Sequence, residues 1–192
     1  MFRSALRILG FLSALALAHV LPCAGMQAQG EGFEEYHVKA ALLAKIPLFV
    51  EWPKDAEANN EKYFYIGILG PSPFGKHKAT LEMQTVKYKK IVVLPFATMN
   101  DYKPCHMLFI SSIKVGNEGA EERLTKALEK TADKRLLIIG DSEGLAEKGA
   151  VANLYFQGDS IRIEMNRDAE KRAKLTTNAQ FLKIIRLVRD AK

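Results

Sequence analysis

Four short, unbroken apolar runs set the fold class of this chain: "YFYIGILG" (63–70), "KKIVVLPF" (89–96), "HMLFISS" (106–112) and "RLLIIGD" (135–141). A strand with one wet face alternates apolar and polar residues, so near-continuous apolar runs belong to strands covered on both faces. The covering layers are legible between them. Phe74 to Gln84 has helical spacing, residues 118–131 place Leu124, Ala127 and Leu128 on one face, and Glu143 to Lys148 reads as a helical turn. Upstream, Glu34 to Val50 carries Val38, Ala41, Leu42, Ile46, Phe49 and Val50 on one stripe, with Pro47 predicting a kink or break near Ala44. Strands alternating with helices predict one three-layer α/β/α domain around a mixed, mostly parallel central sheet.

The chain closes differently. In "VANLYFQGDSIRIEMN" (151–166), two alternating runs flank Gly158-Asp159, a two-residue hairpin signal. Asn166 is placed to cap a helical stretch from Arg167, interrupted at Thr176–Asn178 before Phe181, Leu182, Ile185 and Val188 resume the stripe. A C-terminal hairpin plus helix is expected. The segment "NLYFQG" matches most of a protease site used to remove purification tags. Ala152 stands where that site has glutamate, and the segment is half of a well-patterned hairpin, so it reads as native sequence.

The first residues look like a leader. Arg3 and Arg7 precede an apolar run from Ile8 to Leu21, and Ala24, Gly25 and Ala28 offer small residues for cleavage. The run is ~14 residues, short of the roughly 20 that cross a bilayer. A cleaved signal peptide over residues 1–28 is therefore expected, with a cut after Gly25 as the alternative. Lipid attachment at Cys23 fits poorly behind Pro22. The mature protein is then expected to be soluble in an exported compartment. Without Arg3 and Arg7 it holds 26 basic against 22 acidic residues, a net +4. Those charges are dispersed, so a nucleic-acid partner is not expected. Losing Cys23 leaves Cys105 alone. Its place before "MLFI" points to a buried, inert thiol, and pairing between molecules, with a homodimer, is the other reading.

No motif supplies catalytic chemistry. "GPSPFGKH" (70–77) spaces Gly70, Gly75 and Lys76 like a phosphate-binding loop, but His77 stands where magnesium needs a hydroxyl. Pro71 and Pro73 also lack the N–H donors that cradle phosphate. A turn leading into the Phe74 helix is the expected role. His37, His77 and His106 are isolated in sequence, so no metal site is expected. Asp141 and Ser142 end a strand, where α/β folds hold ligands, but both are equally suited to cap a following helix. Arg162 and Glu164 share one face of the last strand. That face is either solvated or, if covered, a candidate anion or partner site. Trp52, the only tryptophan, precedes Pro53, which disfavours helical geometry before it. It is either a core plug or an exposed docking residue.

Several pieces occur together in order: "VKAALLAKIPLFVEWP", "IGILGPSPFG", "CHMLFISS", "RLLIIGDSEGLAEKGAVANLYFQGDSIRIEMN" and "FLKIIRLV". In this the chain resembles the YfiR-like family over residues 33–192. The resemblance implies a periplasmic, non-enzymatic regulator without cofactor. It would bind the periplasmic domain of an inner-membrane diguanylate cyclase or sensor kinase and hold it inactive, lowering cyclic-di-GMP and biofilm formation. A small-molecule sensor module for such a membrane protein is the alternative. Some relatives carry disulfides, which Cys105 alone does not permit here, so Cys105 is at most a redox candidate. Pro47 departs from the helix formers expected at its position.

Overall fold

The computed structural model describes residues 28–56, 58 and 61–191. The leader expected over 1–28 lies, but for Ala28, outside the described residues. An eight-stranded sheet forms the middle layer. Its strands are β2 (Tyr63–Leu69), β3 (Thr85–Val86), β4 (Lys89–Phe96), β5 (Met107–Ile110), β6 (Leu137–Gly140), β7 (Ala152–Gln157), β8 (Ser160–Asn166) and β10 (Arg186–Val188), in the order β10-β8-β7-β6-β5-β2-β4-β3. Only β3–β4 and β7–β8 pair antiparallel within it; the centre is parallel. A separate ribbon joins β1 (Val50–Glu51) to β9 (Thr176–Thr177).

The apolar runs are continuous because the sheet has a core on each face. Along β5, Met107 and Phe109 enter one core while Leu108 and Ile110 enter the other. The first core is closed by α1 (Ala28–Lys45), α2 (His77–Glu82) and α4 (Arg167–Arg172), the second by α3 (Ala120–Lys130). Gly67 shows how tight the second is: a Cβ there would lie 2.5 Å from the Phe96 ring and 2.9 Å from Leu108.

Several boundaries move for local reasons. The first helix starts at Ala28 rather than Glu34, running through Gly30 and Gly32, whose backbone freedom argues against helix. It ends at Lys45, where Pro47 turns the chain into a tighter helical turn over Ile46–Phe49, close to the break expected at Ala44. α2 starts at His77 rather than Phe74 because Gly75 is left-handed at φ 48°. Residues 142–149 form successive turns instead of one helical turn, with Gly144 and Gly149 at positive φ. The hairpin turns at Gly158-Asp159, and the Asn166 side chain accepts from the amides of Asp168 and Ala169, as a cap should. The helical stripe expected over 181–188 does not form. A single turn, α5 (Ala179–Leu182), gives way to β10, which pairs parallel with β8 and closes that edge.

Candidate functional site

The carboxyl ends of β5 and β6 deliver Ser112 and Asp141 to one place, and α1 lies across them. Lys39 Nζ sits 2.5 Å from Asp141 Oδ1 and 2.5 Å from Glu35 Oε1. Tyr36 Oη donates to Asp141 Oδ2 at 3.1 Å, and Ser112 donates to the same oxygen from its hydroxyl at 2.8 Å and its amide at 3.2 Å. The Lys39 and Asp141 side chains are 1% and 0% exposed. A buried charge pair persists only when its remaining hydrogen-bonding capacity is filled, as here. Burial, followed by the negative charge of Asp141, pushes the Tyr36 phenol well above its ordinary range and keeps it a donor. The crevice where an α/β sheet ordinarily receives ligand is thus occupied by the protein's own lysine and tyrosine. Asp141 caps no helix.

From there a polar chain runs across the sheet to its far edge. Asn153 Nδ2 donates to the Ser142 carbonyl at 2.7 Å and to Glu164 Oε2 at 3.4 Å. Glu164, 1% exposed, also accepts from Tyr155 Oη at 3.1 Å and Arg186 Nη1 at 2.7 Å. Arg162, on the same strand face, stays exposed and donates to Gln157 at 3.2 Å. The structure therefore links Ser142 to Glu164 and leaves Arg162 outside. Lys39, Tyr36 and Arg186 escape a reading of the sequence, although a lysine spaced with Leu43 and Ile46 on a buried helix face was a signal for the first.

Trp52 and Cys105 lie at the opposite, amino end of the strands. Trp52 is half-buried, donates from Nε1 to the His106 carbonyl at 3.2 Å, and meets the Phe64 ring edge-on at 5.6 Å. Cys105 is buried, and burial pushes its thiol up to about 12, which fits the inert reading. His106 stacks on Phe64 at 4.5 Å, and its Nδ1 accepts the Tyr65 amide at 3.0 Å. Burial, then the Lys89 charge, lowers the His106 imidazole to about 4. A folded-state pKa below the unfolded value means stability present above pH ~6.5 and lost as pH falls towards 4. Allowing for screening, that loss is about 2 kcal/mol, and His106→Gln removes it from a plot of denaturant midpoint against pH. An unchanged slope between pH 6.5 and 4 in that variant refutes the assignment.

The two histidines expected to be isolated, His37 on α1 and His77 on α2, are brought together with their Nδ1 atoms 3.4 Å apart. Among the described residues, no group of three or more His, Cys, Asp or Glu side chains is placed to hold a metal ion. Nor is any helix among them long and apolar enough to cross a membrane.

Fold and site together define a three-layer α/β domain whose strand-end crevice is closed by its own first helix. The YfiR/HmsC-like family model matches residues 36–186, and the chain belongs to that family, one of periplasmic regulators rather than catalysts. Two solved structures share the fold. One is an ABC domain in complex with L-Trp from Streptococcus pneumonia, at 10% identity and TM-score 0.50 over 80% of this chain and 60% of that one. The other is a conserved domain protein from Vibrio cholerae O1 biovar El Tor, at 13% identity and TM-score 0.50 over 79% and 59%. The chain thus spans about 60% of either, and at these identities the likeness speaks for fold alone. A search of curated proteins finds no significant match.

Proposed function

We propose that this protein is a periplasmic repressor that holds a membrane-bound diguanylate cyclase inactive by protein–protein contact. The family match over residues 36–186 carries the reading. Two features of the molecule support it. The Lys39–Asp141 pair fills the strand-end crevice, which favours action through the outer surface over action on a bound substrate. At the sheet edge, Ile184 just before β10 and Leu187 within it are exposed, a surface suited to a protein partner. Repression requires tighter binding to the inactive sensor than to the active one; a difference of ~3 kcal/mol changes the state ratio roughly a hundredfold.

Deleting the gene is expected to raise cellular cyclic-di-GMP several-fold, and the mature protein is expected to retain a cyclase from solubilised inner membranes. Unchanged cyclic-di-GMP with no signalling protein retained overturns the reading.

A further inference from the structure

At the amino ends of β2 and β5, away from Asp141, the surface opens into a cavity of about 290 Å³. That is the small end of the ~300–1,000 Å³ range of ligand cavities. Trp52, Phe64 and His106 line it with aromatic surface, and Lys54, Lys87 and Lys89 line it with positive charge. Among the described residues no carboxylate lines it. Lys87 Nζ is committed to the Val50 carbonyl at 2.7 Å, which leaves Lys54 and Lys89 as the cations for a ligand. Lys87 and Tyr88 both sit at positive φ, 47° and 70°, in a turn with neither glycine nor asparagine. They are the two central residues of the turn joining β3 to β4, where hairpin geometry itself calls for positive φ at both positions.

His106 adds a directional group. Its Nδ1 accepts the Tyr65 amide, so the neutral ring carries its proton on Nε2. That donor belongs to a side chain 5% exposed and has no hydrogen-bond partner among the described residues. Buried donors are ordinarily paired, so an unpaired one beside a cationic cavity marks a place for an acceptor.

We propose that this cavity binds a small anion with a planar apolar body, of the size of a single-ring aromatic carboxylate. Its ring packs against Trp52 and Phe64, and its carboxylate accepts from His106 Nε2–H and pairs with Lys89. The proposal holds whichever membrane protein is the partner, and it is tested without one.

Trp52 is the only tryptophan, so its indole N–H is a single resonance that reports on the cavity. In a titration of the mature protein with 4-hydroxybenzoate, that resonance is expected to shift saturably. The neutral 4-hydroxybenzamide and the ringless acetate are each expected to bind at least ~10-fold more weakly, for want of the charge and of the ring. Lys89→Gln is expected to weaken 4-hydroxybenzoate by about 5- to 10-fold, as is the exposed Lys54→Gln to a smaller degree, while Lys126→Gln on α3 changes nothing. The proposal is overturned by no saturable shift, by the amide or acetate binding as well as 4-hydroxybenzoate, or by wild-type affinity in both cavity lysine variants.

Discussion

Lys39→Met is expected to lower the melting temperature by about 10 °C, the signature of a buried carboxylate stripped of its charge partner. The substitution keeps the length of the side chain and its apolar stem, so little packing is lost. What remains is Asp141, 0% exposed on its side chain, held by Tyr36 and Ser112 but facing no cation. Breaking a buried pair from one side costs ~3–5 kcal/mol, far more than the intact pair contributes against an apolar replacement. Two further measurements separate this cause from general disruption. Burial already holds the Asp141 carboxyl above its ordinary value, and the Lys39 charge opposes that rise; in the variant the opposition is gone and the carboxyl rises further. Its folded form is then favoured below the unfolded pKa and penalised as pH rises through the folded one. The deficit is therefore largest near neutral pH and shrinks towards pH ~4. The double variant Lys39→Met/Asp141→Leu, which removes both charges, recovers most of the lost stability. A single variant melting within about 2 °C of wild type, or a double variant no better than the single, refutes the claim that this pair fastens α1 over the strand ends.

That pair also marks the limit of what the sequence discloses. The central strands are legible because burial on both faces writes itself as unbroken apolar runs, and Met107, Leu108, Phe109 and Ile110 feed two cores in turn. The hairpin and the Asn166 cap are legible because their signals are local: Gly158-Asp159 sets a turn, and a side-chain amide satisfies two free backbone donors. Asp141 is recognisable as an acid at a strand end. Its partner is not, because Lys39 lies 102 positions away and only the closed fold brings them together. The same holds for His37 and His77, which are 40 positions apart and meet only when α2 packs beside α1.

The tail fails for a more specific reason. Phe181, Leu182, Ile185 and Val188 have helical spacing, but β8 would otherwise end the sheet with a bare edge and a buried Glu164. Pairing β10 beside it covers the edge and delivers Arg186 to that carboxylate at 2.7 Å. A tertiary requirement overrides a local preference there.

Arg123→Met is the second large loss, and it explains the glycine in "GPSPFGKH" that looks like part of a phosphate loop. Arg123 is 1% exposed on the buried face of α3. Its guanidinium donates to the carbonyls of Ser111 at 2.9 Å, Ile113 at 2.7 Å and Glu118 at 3.4 Å. It thereby pins the loop that follows β5, the loop that carries Ser112 to Asp141. Gly70 makes the room: a Cβ there would lie 2.7 Å from Arg123 Nε, and φ is already 90°. The glycine serves a buried arginine, and no phosphate is needed to account for it. Removing the guanidinium leaves the Ser111 and Ile113 carbonyls short of a donor, while that of Glu118 keeps the Val115 amide at 3.1 Å. The cost is about 3–5 kcal/mol and a fall of roughly 10 °C in melting temperature. Arg123→Lys keeps the charge but not the planar fork that spans several acceptors, and it recovers less than about half. Hydrogen exchange locates the effect. Amides of residues 112–118 are expected to lose protection first, ahead of those in β2 and β6, because Arg123 binds carbonyls along this loop and none in those strands among its described hydrogen bonds. If protection falls equally in the loop and the central strands, Arg123 is a general core residue and not the anchor of this loop. If the loop alone opens, Ser112 loses its fixed approach to Asp141, and Lys39→Met added to Arg123→Met costs less than the two single losses together.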